Sequence, residues 1–137
     1  MFEVFDEYHT YNGRITRKGY IIRVIGRWFY AALVTIILYG LVMLLSFITF
    51  NIGEEAYFLT GLIAAAVFIA AAVYFFFFKL LQEIKRLHDV NLSGWWAIFG
   101  FVPFLSIIYY LYLIFVDGTV GPNKFGEDPK GRSGGNN

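Results

Sequence analysis

A chain of 137 residues has room for one domain, and 58% hydrophobic against 15% charged residues is too apolar a balance for a soluble one, which carries about 25% charge. Eleven Lys and Arg against ten Asp and Glu leave a net charge of +1, which argues against nucleic acid as the main partner. The absence of cysteine removes disulfides, thiolate metal sites and thiol nucleophiles.

Residues 1–27 read as a cytoplasmic, interfacial basic segment. It is acidic and aromatic up to Asn12, turns at Gly13, and becomes helical with Thr16 as the cap. Arg23 and Arg27 lie four apart on one face, among Tyr20, Ile21, Ile22, Val24 and Ile25. Their long side chains can reach toward headgroups. The apolar run that begins at Tyr20 is longer than the roughly 7–15 residues of a signal-peptide core, so a retained span is expected.

Three stretches, 28–50, 56–78 and 95–116, contain no charged residue. Each is about 22 residues long, and a helix of roughly 20 residues spans the hydrocarbon core of a bilayer. They predict an all-α integral membrane protein with three transmembrane helices filling a membrane domain over 28–116. The polar connection 51–55 is short enough to make the first two spans an antiparallel hairpin. In the second span Gly61, Ala65 and Ala72 form a candidate packing seam, since small residues let helix backbones approach closely in lipid. The partner is internal or another subunit, and the same residues also read as apolar filler.

The loop 79–94 predicts an amphipathic cytoplasmic extension of helix two. Leu80, Leu81, Ile84 and Leu87 fall on one side, and Lys79, Glu83, Lys85 and Arg86 on the other. Glu83 and Arg86, three apart, are in reach of each other. The helix should end around 88–91, with Asn91 or Ser93 capping a third helix that enters the bilayer through Trp95 and Trp96. Gly100 and Pro103 should kink that helix, because proline lacks the N–H that the carbonyl of Phe99 needs. The remainder, 117–137, is a turn-rich tail with a Gly/Ser/Asn-rich, disordered end over 130–137.

Cations close to the spans set orientation. They precede the first span and fill the loop 79–94, and the connection 51–55 has none, so the N-terminus and loop 79–94 should be cytoplasmic. Three crossings then put the tail outside. A re-entrant bend at Gly100 and Pro103 would return it inside. Three crossings are favoured, because broken backbone in lipid leaves polar groups that cost several kcal/mol each.

One polar cluster could carry chemistry: Arg86-Leu87-His88-Asp89 followed by Ser93-Gly94-Trp95-Trp96. His88 has the right pKa for a general base, but adjacent helical residues point about 100° apart, so Asp89 is badly placed to orient it. Ser93 would be a nucleophile only if the turn folded back. With His9 and His88 the only histidines, no metal site or cofactor is expected. A structural corner is the simpler reading, with Asp89 facing Arg14 or Arg17. The other is an anionic-lipid headgroup site formed by Arg14, Arg17, Arg86 and His88 beside the indoles of Trp95 and Trp96. The spans carry no Asp, Glu, Lys, Arg or His, which speaks against a proton-coupled carrier.

Gly13-Arg14-x-x-Arg17-Lys18-x-Tyr20, Lys85-Arg86-Leu87-His88-Asp89, Ser93-Gly94-Trp95-Trp96 and Gly121-x-Asn123-Lys124-Phe125-Gly126-x-Asp128-Pro129 together resemble a family of small bacterial inner-membrane proteins known as domain of unknown function 805. The resemblance runs from about residue 8 to 130. It departs from the family pattern at Lys85, where an Arg is usual, and at Gly19 and Ile21, where an acidic residue and a Trp are usual. It implies a multi-pass protein of the bacterial inner membrane whose matching polar residues form a unit, and it implies no activity.

The function expected from all this is a structural or interaction component. Its partners would be membrane lipids, including anionic headgroups, and a second copy or another membrane protein. The alternatives are a small oligomeric transport or channel protein and a lipid-headgroup binder or lipid-modifying enzyme.

Overall fold

The computed structural model describes residues 12–132, so His9 and the last five residues lie outside the described part. The protein is all-helical, with two long apolar helices and a shorter one. Helix α1 is Arg17–Phe50 and α2 is Glu54–Asp89, of 34 and 36 residues. At 1.5 Å per residue each runs about 50 Å, well beyond the roughly 30 Å hydrocarbon core.

Each overshoot has a local cause. Thr16 caps α1, its hydroxyl accepting the N–H of Gly19 at 3.0 Å. At the far end of α2 the chain turns through Asn91, whose φ is 61°, a left-handed conformation that Asn tolerates better than most residues. The Leu92 N–H then donates to the Leu87 carbonyl at 2.9 Å and the Asn91 N–H to the His88 carbonyl at 3.1 Å. This paired closure is the Schellman stop.

The chain divides into two units, Gly26–Phe77 and the remainder. Within the first, α1 and α2 form the expected hairpin. Its half-buried stripe runs through Ala31, Val34, Leu38 and Val42 on α1 and Ala64, Phe68, Ala71 and Phe75 on α2. Tyr30 meets Phe75 edge to face at 5.9 Å. Gly61, Ala65 and Ala72 are exposed on the outer face. They sit about 100° around the helix from the inward stripe, so the internal seam is made by Ala64, Phe68 and Ala71 instead. Large apolar side chains cover the outside, among them Ile36, Phe47 and Phe58, a surface that lipid can cover and water cannot.

The second unit holds the start of α1, the end of α2, and everything after. Its core is Ile15, Tyr20, Leu87, Ala97, Tyr109 and Leu113. Here the third apolar stretch is not one continuous helix. A 3-10 segment, Gly94–Phe101, is followed by a break and then by α3, Leu105–Phe115, of 11 residues. At Phe104 φ is 65°, a strained value for a non-glycine residue. The predicted kink at Gly100 and Pro103 is thus a full interruption. Local backbone bonds bridge the break, with Leu105 N–H donating to the Pro103 carbonyl at 2.8 Å and Ser106 N–H to the Val102 carbonyl at 2.9 Å. Gly100 allows the two arms to close, since a Cβ there would lie 3.0 Å from the Tyr110 hydroxyl and 3.2 Å from the Tyr109 ring.

The arms leave and return at one place. The N–H of Thr119, just after α3, donates to the carbonyl of Asp89, at the end of α2, at 2.9 Å. The tail therefore emerges beside the N-terminal segment, where Arg14 donates to the Gly121 carbonyl at 2.8 Å. The tail is also placed as far as Arg132, because Lys130 and Arg132 pair with Asp117 and Asp128; only 133–137 of the expected disordered end lie outside the described residues.

Candidate functional site: a closed polar corner

The last turns of α2 bury their polar side, the reverse of what an exposed amphipathic extension would do. Gln82, Glu83, Lys85, Arg86, His88 and Asp89 are all buried, whereas Leu80, Leu81 and Ile84 are only half-buried. Burying charge is unfavourable unless each charge is paired and hydrogen-bonded, so these residues need partners from other segments.

Asp89 is the hub. One carboxylate oxygen accepts from the Arg14 guanidinium at 3.2 Å and the other from Arg86 at 2.5 Å. The side chains of all three are at most 1% exposed. A carboxylate in the last turn of a helix faces the negative end of the helix dipole, and the two cations offset that. Burial pushes the Asp89 carboxyl up, while Arg86 and then Arg14 pull it back down.

Both guanidiniums also direct donors into the chain's own backbone. Arg14 reaches the carbonyls of Gly121 at 2.8 Å, Thr119 at 2.6 Å and Gly126 at 3.3 Å. Arg86 reaches the carbonyl of Leu113 at 2.8 Å and that of Val116. Arg86 thus holds the end of α3, whose last carbonyls lack helical partners, and Arg14 holds the tail. The tail in turn caps α2: Asn123 donates its amide to the His88 carbonyl at 2.9 Å, and Thr119 donates its hydroxyl to the Asp89 carbonyl at 3.1 Å.

Asp128 organises the tail itself. It accepts from the backbone N–H of Gly121 at 3.2 Å and of Lys130 at 2.9 Å, and from Arg132 at 2.8 Å. The Arg132 guanidinium, aided by these N–H groups, holds its carboxyl well below the usual range. His88 stacks flat on Phe125 with ring centroids 3.8 Å apart, and its Nδ1 lies 3.3 Å from the Gly13 carbonyl. That contact requires the proton on Nδ1. Burial pushes the His88 pKa down, with the Gly13 carbonyl opposing and Lys124 adding to the fall.

Of the residues singled out from sequence, Arg14, Arg86, His88 and Asp89 come together, and Asp89 faces Arg14, not Arg17. Arg17 opens α1 outside this network. Ser93 stands at the N-cap of the 3-10 segment but makes no side-chain capping bond. Trp95 is exposed, and Trp96 packs on Phe99 at 5.3 Å. His88 and Asp89 use different partners, so they do not form an acid–base pair. Glu83 pairs with Lys79 at 3.4 Å in place of Arg86, because Arg86 is drawn to Asp89. Arg23 points at Gln82, 3.0 Å away, in place of headgroups. Among the described residues no group of three His, Asp or Glu could hold a metal.

In sequence, 117–129 reads as turns and Arg132 as part of a disordered end; Asn123 and Asp128 stand out only in the Gly121–Pro129 run that carries the family resemblance, and Thr119 not at all. The signal that Asn123 and Asp128 belong to the corner was the run from Gly121 to Pro129, whose Asn and Asp can bond to backbone.

Fold and corner define an all-helical integral membrane protein, with two helices long and apolar enough to cross a bilayer and a shorter apolar pair of arms. The chain belongs to the family described as "Protein of unknown function (DUF805)", whose pattern matches residues 8–127. It is similar to the inner membrane protein YhaI of Escherichia coli, with 32% identity over 127 residues, covering 93% of this chain and 92% of YhaI. It also resembles the inner membrane protein YhaH of the same organism, with 40% identity over 48 residues, 35% of this chain and 40% of YhaH. These relatives place the chain in the bacterial inner membrane. No solved structure matches it.

Proposed function

We propose that the chain is a structural and interaction component of the inner membrane, in which the corner ties the N-terminal segment, the end of α2 and the tail into one block on the cytoplasmic face. The observation that carries this reading is the inward aim of Arg14 and Arg86, whose donors meet Asp89 and the chain's own carbonyls. A headgroup-binding or lipid-modifying site on these residues would need cations open to phosphate. A channel would need a polar stripe, and the charge-free stretches of α1 and α2 offer only scattered hydroxyls.

Cation placement supports the orientation. All eleven Lys and Arg belong to the N-terminal segment, the loop 79–94 or the tail, and the connection 51–55 carries only Glu54 and Glu55. The test is a pair of topology reporters, one fused after Lys130 and one inserted at Gly53. The expected result is a cytoplasmic tail and an external residue 53; an external tail overturns the orientation. Purified chain in sealed vesicles should leave ion gradients and anionic lipid intact, and a leak or lipid turnover would overturn the structural role.

A further inference from the structure

The two arms of the interrupted third segment enclose a half-open cavity of about 370 Å³, within the range of roughly 300–1,000 Å³ typical of small-molecule sites. Leu87 and Leu92 from the Schellman stop form its floor, Trp96 and Phe99 one wall, and Ile108 and Tyr112 the other. The lining is almost wholly hydrocarbon and aromatic ring, with no charged residue. We propose that this cavity is a binding site for one acyl chain of a membrane phospholipid, drawn from the leaflet on the tail's side of the bilayer.

Three observations lead there. Asp89, which precedes the arms, and Thr119, which follows them, are hydrogen-bonded to each other, so the arms leave and return at one place and the segment would enter and leave the membrane on one side. Helix α3 has 11 residues, about 16 Å, or about half the hydrocarbon thickness. The arms therefore sit at the depth of one leaflet's acyl chains. Finally, the outer surfaces of the same arms are exposed and apolar at Trp95, Ile98, Phe104 and Ile107, so the cavity lies beside a surface that hydrocarbon can cover and water cannot.

An empty apolar cavity forfeits the dispersion contacts of its lining, and such cavities take apolar guests in preference to water. In lipid, filling it gains packing and not the hydrophobic effect. The site should therefore select for chain shape and be indifferent to headgroup, unlike a site built on Arg14 and Arg86.

The experiment uses the full chain with one tryptophan kept at a time. Trp96 lines the cavity, and Trp95 is exposed beside it. Each single-tryptophan protein is reconstituted into dioleoylphosphatidylcholine vesicles or into vesicles of its dibrominated counterpart, then extracted into excess detergent. A held brominated chain keeps Trp96 quenched about twofold after extraction, while Trp95 recovers. Ile108→Phe, at a lining position that is also exposed, should release the quenching and remove the single lipid seen per chain by native mass spectrometry.

Equal recovery of Trp96 and Trp95 overturns the proposal, as does lipid retention unchanged by Ile108→Phe. A lipid-free dimer in which a second copy fills the cavity overturns it too. Should Ile108→Phe fail to fold, the comparison of Trp96 with Trp95 decides alone.

Discussion

Gly118 passes so close to Asp89 that a Cβ on the glycine would land on the Asp89 carboxylate. The contact brings tail backbone against the hub of the corner, with Arg14 and Arg86 holding the same carboxylate. Gly118→Ala should therefore act like a lesion of the corner itself. The expected outcome is a tail that trypsin cuts at Lys124 and Lys130 at least tenfold faster than in the parent chain, with the helix content unchanged by circular dichroism. Equal cutting rates would mean that Asp89 can shift without cost.

Asp89→Ala leaves two buried guanidiniums without their carboxylate. Breaking a buried pair by removing one partner costs about 3–5 kcal/mol, and a comparable loss of stability in detergent is expected. Arg14→Met combined with Asp89→Leu should show a coupling of about 0.5–3 kcal/mol in a double-mutant cycle. The reversed pair, Arg14→Asp with Asp89→Arg, should not recover. Arg14 also donates to the carbonyls of Thr119, Gly121 and Gly126, and a carboxylate cannot donate to a carbonyl. Recovery in the reversed pair would show that charge alone, and not this hydrogen-bond pattern, holds the tail.

His88 makes tail docking sensitive to pH. Burial lowers its folded pKa below the unfolded value of about 6.5, so the unfolded state takes up the proton first. Its contribution is fully present above about 6.5 and is lost as pH falls through that value toward the folded pKa. Asp128, held low by Arg132, contributes in the same sense at more acidic pH, below about 4. Protease protection of the tail should thus weaken as pH falls below about 6.5, and His88→Phe, which keeps an aromatic ring against Phe125, should flatten that slope. A slope that survives in His88→Phe would assign the effect to another group.

Gly61→Leu and Ala65→Leu alter the outer face of α2. A Cβ at Gly61 meets no atom within 4 Å, and both residues are exposed. Monomer stability should change by less than about 0.5 kcal/mol, while any assembly through this face should weaken, read as a shift in oligomer mass in mild detergent. A large loss of monomer stability would place these residues inside the hairpin after all.

The corner illustrates what a sequence hides. Lys79, Glu83, Lys85 and Arg86 share the polar side of an amphipathic helix, and in sequence such a side faces water. Whether it turns inward depends on partners that lie far along the chain: Arg14 is 75 positions from Asp89, and Gly121 is 107 positions from Arg14. The pairing of Arg14 with Asp89 was open to anticipation because opposite charges flanked spans on one side of the membrane. The contribution of Thr119 and of the Gly121 carbonyl was not, because a short hydroxyl and backbone carbonyls carry no charge pattern.

The sequence by itself determined the membrane class, the two long helices and their hairpin, and the place where the third apolar stretch breaks. Each follows from a local rule: a run of apolar residues matched to the bilayer, a connection too short to do anything but turn, and a proline without an N–H. Only the tertiary structure decided that this break returns the chain to the end of α2, that the polar side of α2 is interior, and that the tail closes the corner. Those outcomes depend on which distant donors and acceptors can meet, and a hydrogen bond between residues far apart in the chain leaves no periodic trace in the order of the residues.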